Sequence, residues 1–532
     1  MNRLVTSVLI SLVGFQTVLQ ASPARPRLVV GIVVDQLRTD YIEYLQGLFG
    51  EKGFRKLMRE GVYFKDMDFG VDGLDIASGT AMVFTGNYPS ASGVTGSRVY
   101  DPVTGQTRPV LNDPASIGNY TNDTYSPASL RLSTISDEVA VDGVGFNAIY
   151  SIAPDAQQAI IMAGHAGNSA FWLNENTGQW ATTTYYKDVP PVINTRNYGS
   201  SVASRIDNMR WKPMLPAASY PGLPAQKRLV DFNHSFPRSD KDVYRMFSST
   251  PLANDEVTDL AIDYLKELHL GSRGDVMDML NIGYTAAPYK YGRDNDNRAE
   301  LADTYVRLDA QLGRLFDALD QYVGRDNVVV FLSGTGYFDD AMPDDPRYRL
   351  PGGDFSMKRA MSLLNSYLTA RHGNGNYVSA FIGNELFLDR DAIEAARLDT
   401  EELARESRDF LCRMSGVNTA YTMRDVLEGG SPELVALRRS LDPKVSGDIF
   451  VEFAPGWAVV DDLHFPTVSK QTRLSPALTP GFIWAPYVEA MEVASTVDAT
   501  AFAPTVSGIL RIRAPNGSAS SPLSVKFRQP TQ

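Results

Sequence analysis

Cysteine, histidine and long apolar runs are scarce in this chain. Cys412 is the single cysteine among 532 residues, so an intramolecular disulfide is excluded, and we expect this side chain to be a small hydrophobe of the core. Beyond the N-terminus no stretch approaches the ~20 apolar residues of a spanning helix, which predicts a mature chain without a transmembrane helix. The 50 basic residues are outnumbered by 62 acidic ones, and a net charge of −12 argues against a nucleic-acid partner.

Residues 1–21 have the pattern of a cleavable signal peptide. Arg3 supplies a short positive region, an apolar stretch runs from Leu4 to Leu19, and Ala21 is the small residue at the expected cleavage site. No cysteine lies near that site to accept a lipid. The pattern predicts export to a periplasmic or extracellular location.

The remaining chain has the pattern of an α/β protein with a largely parallel central sheet flanked by helices. Residues 27–34 (RLVVGIVV) read as a buried strand that ends at Asp35, and residues 327–332 (NVVVFL) read as another. Residues 41–60 and 297–322 carry apolar side chains at helical spacing. Because functional residues of such sheets lie just past the carboxyl ends of strands, Asp35 and the segment after the second strand are candidate positions.

The domain organisation follows from composition. The segment at about 101–240 is rich in Tyr, Asn, Thr and Pro, which we interpret as a cap inserted between core elements. A further insertion is expected at about 338–445. We therefore predict a single domain over 22–532 with two inserted regions.

Five sequence runs, in order along the chain, resemble the PafA-type branch of the alkaline phosphatase superfamily. This branch is similar to the type I phosphodiesterases and nucleotide pyrophosphatases. They are VVGIVVDQLRTDY (29–41), TGNYPSASGVTGSRVYD (85–101), AGHAGNSAFW (163–172), SGDIFVEFAPGW (446–457) and TAFAPTVSGILRIRAPNGS (500–518). The resemblance implies an alkaline-phosphatase-like fold. It also implies the chemistry of exported phosphomonoesterases, in which a threonine nucleophile lies beside two zinc ions held by aspartates and histidines.

The residues at the family's functional positions differ from that pattern. Asp35 matches the first metal-binding aspartate, but Ile76 stands where the nucleophile is expected, and an alkyl side chain cannot attack phosphorus. Other expected ligand positions carry Thr285, Tyr289, Thr335, Gly336 and Leu478. The substrate-contacting asparagine is replaced by Ser97, and two basic residues by Asp155 and Gln157.

The histidines give a check that does not depend on alignment. The chain has five: His165, His234, His269, His372 and His464. His165 lies in a motif of the family, but the resemblance does not make it a metal ligand. We expect His234 to have a hydrogen-bonded structural role. His464, preceded by Asp461 and Asp462, is the candidate for a rearranged site. We expect Asp35 to be a relict that is held by backbone amides or by Arg38.

Three hypotheses follow, of which the first two come from different classes. The first is a pseudoenzyme without metal cofactors that serves as a binding or structural component of a cell-envelope assembly, with envelope or outer-membrane proteins as partners. The second is an active phosphomonoesterase or phosphodiesterase with zinc in a rearranged site, in which Ser78 or Thr80 replaces the lost nucleophile. A third is a phosphate- or glycan-binding protein that uses the old pocket.

Overall fold

The computed structural model describes residues 25–71, 73–102, 104–223, 226, 228–292, 296–339, 352–463, 469–471 and 478–528. The predicted signal peptide and His464 lie outside these residues. Within the described part of the chain, no helix is both long and apolar enough to cross a membrane.

The strands, in chain order, are β1 Leu28–Asp35, β2 Val62–Phe64, β3 Met67–Asp68, β4 Arg98–Asp101, β5 Gln106–Pro109, β6 Gly118–Asn119, β7 Ile149–Ala153, β8 Ser169–Leu173, β9 Trp180–Thr183, β10 Arg210–Trp211, β11 His234–Ser235, β12 Asp278–Thr285, β13 Val328–Gly334, β14 Asp354–Ser356, β15 Val378–Ile382, β16 Glu385–Leu388, β17 Val417–Thr422, β18 Ile449–Phe453, β19 Ala458–Val460, β20 Ser469–Gln471, β21 Gly481–Trp484, β22 Met491–Val493 and β23 Val497–Asp498.

The α-helices are α1 Thr39–Leu45, α2 Phe54–Glu60, α3 Ile76–Thr85, α4 Pro89–Ser92, α5 Ile135–Asp142, α6 Ala156–Ala163, α7 Pro191–Gly199, α8 Val202–Arg205, α9 Val243–Ser248, α10 Pro251–Glu267, α11 Arg298–Tyr322, α12 Met357–His372, α13 Arg390–Ala395, α14 Thr400–Leu411, α15 Met423–Glu428, α16 Pro432–Ser440 and α17 Phe502–Leu510.

A 10-stranded sheet in the order β22-β2-β21-β13-β1-β12-β7-β8-β9-β6 forms the centre of the molecule. Strands β13, β1, β12, β7 and β8 are parallel to one another, and the flanking strands make the sheet mixed. Alternate side chains of β1 enter two hydrophobic cores, Val30 and Ile32 on one face and Val29 and Val33 on the other. Helices cover both faces, so the predicted α/β class with a largely parallel sheet is confirmed.

The predicted cap segment at 101–240 contributes to this sheet as well as to its periphery. Strands β6 to β9 lie within it, and β7 pairs directly with the core strand β12. Residues 378–453 supply a separate 4-stranded sheet, β15-β16-β18-β17, which packs around its own hydrophobic core.

Two local predictions were wrong for identifiable reasons. The helical pattern at 41–60 is broken into α1 and α2, because the carboxylate of Asp309 accepts hydrogen bonds from the amides of Gly50 and Phe54, each at 2.7 Å, and so fixes the start of the second helix. Cys412 is exposed rather than buried. It follows Leu411, the last buried residue of α14, and a step of about 100° along the helix turns it off the buried face.

Candidate functional site

The carboxyl end of the central sheet brings together several of the positions that sequence analysis singled out. Asp35 and Thr285 are register partners at the ends of β1 and β12. Val34 pairs with Gly334 at the end of β13, so Thr335 follows immediately beside Asp35. The backbone carbonyl of Leu478 accepts a 2.9 Å hydrogen bond from the amide of Thr39, in the chain that follows β1. The predicted convergence at strand ends is thus observed.

Asp35 is buried and bound by uncharged groups. Its Oδ1 accepts hydrogen bonds from the hydroxyls of Tyr337 (2.7 Å) and Thr335 (3.2 Å), and its Oδ2 lies 3.4 Å from the side-chain amide of Gln36. The side chain of Arg38 instead binds Asp40, with a 2.9 Å hydrogen bond from its Nε. Among the contacts described, hydroxyls and an amide side chain therefore hold Asp35, in place of the expected backbone amides or Arg38.

The surroundings of Asp35 favour its protonated form. Burial raises the pKa of Asp35 to about 7, the nearby charges of Asp339 and Asp155 add to the rise, and the hydrogen bonds from Tyr337 and Thr335 oppose it. A carboxyl group in this state is a weak ligand for a cation, since binding has to displace a proton.

The loop after β13 is bound tightly to the end of β1. The amide of Gln36 donates to the Thr335 hydroxyl at 2.9 Å, and the amide of Asp339 donates to the side-chain oxygen of Gln36 at 2.8 Å. Gln36 has a left-handed backbone with φ of 59°, which is uncommon for a residue with a side chain. These bonds hold residues 335–339 against the end of β1.

Ile76 occupies the first position of α3. Asp75 caps this helix: its Oδ1 accepts hydrogen bonds from the amide of Ser78 at 3.0 Å and from the Ser78 hydroxyl at 2.8 Å. The Ser78 hydroxyl also accepts from the amide of Asp75, which completes a capping box. The other Asp75 oxygen accepts from the amide of Ser97 at 2.5 Å. Both carboxylate oxygens of Asp75 are thus engaged by groups of the protein itself.

Helix α3 packs directly on the loop that carries Thr335. A Cβ added at Gly79 would lie 2.1 Å from the carbonyl oxygen of Thr335, so only glycine fits. Thr80, the other candidate nucleophile, is fully buried, and its hydroxyl has no hydrogen-bond partner among the described atoms. Gly336 has φ of 81°, and a Cβ added there would lie 2.5 Å from the ring of Phe69.

Thr285, Tyr289 and Leu478 stand at the remaining expected ligand positions. The Thr285 hydroxyl accepts a 3.2 Å hydrogen bond from the amide of Ala287. The ring of Tyr289 is 3% exposed and packs at 5.2 Å from Trp211 and 4.8 Å from His234. Leu478 is 44% exposed. None of these three side chains contributes an imidazole or carboxylate.

His234 and His165 both make hydrogen bonds within the protein. His234 Nε2 lies 2.8 Å from a carboxylate oxygen of Glu300, as expected for a hydrogen-bonded structural residue. His165 lies 3.2 Å from Asp137 and 2.9 Å from the carbonyl of Leu130, and the contact with Asp137 raises the pKa of the imidazole. Both ring nitrogens of His165 are therefore engaged.

Asp155 lies close enough to Asp35 for the two carboxylates to repel each other. Asp155, which replaces an expected basic residue, caps α6 by accepting hydrogen bonds from the amides of Gln157 and Gln158. Burial raises the pKa of Asp155 to about 6, and repulsion from Asp75 contributes to the rise. Such a field opposes the binding of a phosphate ester.

The donor set at this site does not fit zinc. Zinc sites use about four ligands drawn from thiolate, imidazole and carboxylate. The matched positions offer one carboxylate, which is already hydrogen-bonded, together with neutral hydroxyls, a phenol ring, glycine and an alkyl chain. Over the part of the chain that the structure describes, no group of three or more His, Cys, Asp or Glu is placed to hold a metal ion.

Two residues of this site escaped the sequence reasoning. Tyr337 was not singled out, although it follows the Thr335-Gly336 pair directly. Asp75 was also missed, and its signal was the spacing of an aspartate three residues before Ser78, the pattern of a helix cap.

Comparison with known proteins agrees with the fold. The chain is 26% identical over 520 residues to alkaline phosphatase PhoV of Synechococcus elongatus, covering 93% of this chain and 92% of PhoV. It is 26% identical over 521 residues to alkaline phosphatase PafA of Elizabethkingia meningoseptica, covering 94% of each. The crystal structure of wild-type PafA superposes with a TM-score of 0.82 at 23% identity, covering 94% of this chain and 99% of PafA.

A profile of the type I phosphodiesterase / nucleotide pyrophosphatase family matches residues 29–473. Sequence runs, sheet topology and structural superposition thus agree. The chain belongs to the type I phosphodiesterase / nucleotide pyrophosphatase family, in the PafA-type branch of the alkaline phosphatase superfamily.

Proposed function

We propose that this protein is an exported pseudoenzyme that has kept the alkaline phosphatase fold and lost its reaction. One observation carries the proposal: the carboxylate of Asp35, at the expected metal position, is instead bound by the hydroxyls of Tyr337 and Thr335. Ile76 follows the Asp75 cap where a nucleophile is needed, which supports it. The proposal departs from the names of PhoV and PafA, which are alkaline phosphatases.

The chemistry of phosphoryl transfer explains why these changes act together. The reaction needs an oxygen nucleophile, cations that neutralise the phosphoryl oxygens, and groups that stabilise the leaving oxygen. Ile76 supplies no lone pair, the ligand positions do not fit zinc, and Asp155 adds negative charge where basic residues are expected. Restoring a single part leaves the others missing, so Ile76→Thr is expected to remain inactive.

The alternative is a phosphoesterase with a shifted nucleophile. Ser78 and Thr80 are both fully buried, and the Ser78 hydroxyl is engaged in the capping box. A substrate phosphorus atom has to come within about 3–3.5 Å of the attacking oxygen. Burial at both positions favours the pseudoenzyme over this alternative.

The positive role that we propose is binding within the cell envelope. The predicted signal peptide at 1–21 supports export, and the parts of the predicted inserted regions, at about 101–240 and 338–445, that lie outside the central sheet supply further surface. Envelope or outer-membrane proteins are the proposed partners. In vivo crosslinking with an affinity tag at the C-terminus, followed by mass spectrometry of the envelope fraction, tests this role.

A hydrolysis assay tests the loss of activity. The mature chain, residues 22–532, is supplied with zinc and assayed on p-nitrophenyl phosphate and bis(p-nitrophenyl) phosphate, with purified PafA as the positive control. We expect no turnover above that of the Ser78→Ala and Thr80→Val variants. Turnover that depends on either hydroxyl would establish the alternative.

A further inference from the structure

Strand β17 is an edge strand of the 4-stranded sheet, and it borders a cavity of about 600 Å³. Thr419, Ala420 and Tyr421 of this strand all line the cavity. Successive side chains of a strand point to opposite faces of the sheet. A cavity that contacts three consecutive residues therefore lies along the edge of the sheet and not on one face, and we call it the edge groove.

The walls of the edge groove come from helices on both faces of the sheet. Helix α14 packs in the core on the face that carries Ala420, and α15 and α16 pack on the face that carries Tyr421. The charged and thiol side chains that line the groove from these helices and their ends are those of Arg408, Asp409, Cys412, Asp425 and Glu428. The groove is thus a slot between two layers of helices, with the strand edge at its base.

The backbone of β17 directs hydrogen-bonding groups into this slot. Ala420 is opposite Val451 of β18, and the amide of Val451 donates instead to the carbonyl of Asn384, at 2.8 Å on the other side of β18. Opposite residues of an antiparallel pair alternate between bonded and non-bonded, so Ala420 directs its N–H and C=O away from β18. The amide of Thr422, two residues on, also points outward and donates to Oδ2 of Asp425 at 2.8 Å. Outside its pairing with β18, Ala420 has no hydrogen-bond partner among the described residues.

The charges that line the edge groove are mainly negative. The carboxylates of Asp409, Asp425 and Glu428 line it together with one guanidinium, that of Arg408. Arg408 is already paired, because it lies 2.8 Å from Asp409 and 3.0 Å from Asp425. Glu428 pairs with Arg424 at the surface, where both side chains are more than half exposed and an ion pair is weak. A ligand that complements the groove therefore carries positive charge.

We propose that the edge groove binds an extended peptide with basic side chains, which adds to β17 as a further strand. The outward N–H and C=O of Ala420 are groups that a peptide backbone satisfies, and addition to a free sheet edge is a general mode of peptide recognition. The carboxylates favour side chains of positive charge. The inference rests on the proposed binding role, for which it names the surface and the chemical class of the partner, and it does not depend on the loss of catalysis.

Cys412 provides a reporter within the groove. It lines the cavity, it is exposed, and it is the single cysteine of the chain. The mature chain, residues 22–532, reacts with the uncharged reagent N-ethylmaleimide, and mass spectrometry follows the rate with and without a peptide. The probe is an acetylated and amidated hexapeptide of alternating valine and lysine, which is basic and favours an extended backbone.

The peptide of valine and lysine is expected to slow the modification of Cys412 by about twofold or more at about 1 mM, which corresponds to a Kd in that range. The same peptide N-methylated at every residue cannot donate hydrogen bonds to the strand edge, so its affinity should be lower by about tenfold or more. A peptide in which glutamate replaces lysine should give no protection, because the carboxylates of the groove repel it.

Charge reversal in the groove separates peptide binding from folding. Glu428→Lys is expected to weaken peptide binding about fivefold, while the exposed position of Glu428 leaves stability nearly unchanged. Glu51→Lys is the matched control. Glu51 is 68% exposed, Glu428 is 67% exposed, and each pairs with an arginine four residues away, but Glu51 lies beside α2, outside the groove. Each rate is compared with that of the same variant without peptide, which removes the direct effect of the new charge on the thiol.

Four results would overturn the inference. They are a rate that the peptide of valine and lysine leaves unchanged, equal protection by the N-methylated or the glutamate peptide, equal binding by Glu428→Lys and Glu51→Lys, and protection that appears on raising the protein concentration without peptide. The last result would identify a second copy of the chain as the occupant. Zinc-dependent phosphatase activity in the same preparation would refute the pseudoenzyme proposal but leave the protection of Cys412 standing, so the two failures are distinguishable.

Discussion

The hydroxyl of Tyr337 donates a 2.7 Å hydrogen bond to Oδ1 of Asp35, the carboxylate at the family's first metal-binding position. The same oxygen accepts a hydrogen bond from Thr335. Neutral hydroxyls of the protein thus bind the carboxylate at a position where the family resemblance implies a cation.

Removing the Tyr337 hydroxyl should destabilise the protein in a pH-dependent manner. Tyr337→Phe leaves the buried carboxylate with one fewer donor, so we expect a loss of about 1–3 kcal/mol at pH 8 and a smaller loss at pH 5, where Asp35 is largely protonated. Urea unfolding at the two pH values measures the difference. Tyr487→Phe is the control, because its hydroxyl donates to the neutral carbonyl of Ile509 and should give equal losses at both pH values.

Asp35 itself should make stability fall as pH rises. Its pKa is about 7 in the folded protein against 3.8 for the ordinary group, so the folded state binds the proton more tightly. The contribution of Asp35 to the free energy of unfolding is fully present below about pH 4 and is lost as pH rises through 7. This loss is at most about 4 kcal/mol. In Asp35→Asn, the free energy of unfolding should lack this part of its dependence on pH. At pH 8 it should be higher than that of the natural protein.

Other buried carboxyls, among them Asp155 and Glu385, also have raised pKa values and contribute to the slope in both proteins. The difference between Asp35→Asn and the natural protein, measured from pH 4 to 8, isolates Asp35. A difference that does not change with pH would refute the raised pKa.

The two hydroxyls near Ile76 should act on stability in opposite directions. Ser78→Ala breaks the capping box and leaves the amide of Asp75 unpaired, so a loss of about 1–2 kcal/mol is expected. Thr80→Val replaces a buried hydroxyl that lacks a partner among the described atoms, so it should be neutral or slightly stabilising. Thermal unfolding of both variants checks this contrast, and a large loss in Thr80→Val would indicate a partner for its hydroxyl.

The contact between α3 and the Thr335 loop should tolerate no added atom. Gly79→Ala would place a Cβ 2.1 Å from the Thr335 carbonyl, and we expect a loss of about 3 kcal/mol. Gly508→Ala is the matched control in α17, where a Cβ meets nothing within 4 Å, and it should gain about 0.5–1 kcal/mol. Similar losses in both variants would show that the α3 contact is looser than described.

The sequence was sufficient for the parts of the fold that depend on local periodicity. The apolar run before Asp35 became β1, and the helical pattern at 297–322 became α11. The break between α1 and α2 was not predictable in this way, since it depends on Asp309, which lies far along the chain in α11.

At the candidate site, the sequence identified which residues stand at the family's positions but not what those residues bind. Asp35 was placed correctly at a strand end, yet its partners Tyr337 and Thr335 come from a loop about 300 residues later. The exposure of Cys412 likewise depends on which face of α14 packs against the 4-stranded sheet. Contacts between distant segments are set by tertiary packing, which periodicity does not encode.

The metal content of the mature protein tests the central claim most directly. Residues 22–532 are expressed with added zinc, purified without chelator and analysed by inductively coupled plasma mass spectrometry, with PafA prepared in parallel. The pseudoenzyme account predicts far less than one zinc ion per chain. Close to two zinc ions per chain would contradict it and would return the protein to the active phosphatases of its family.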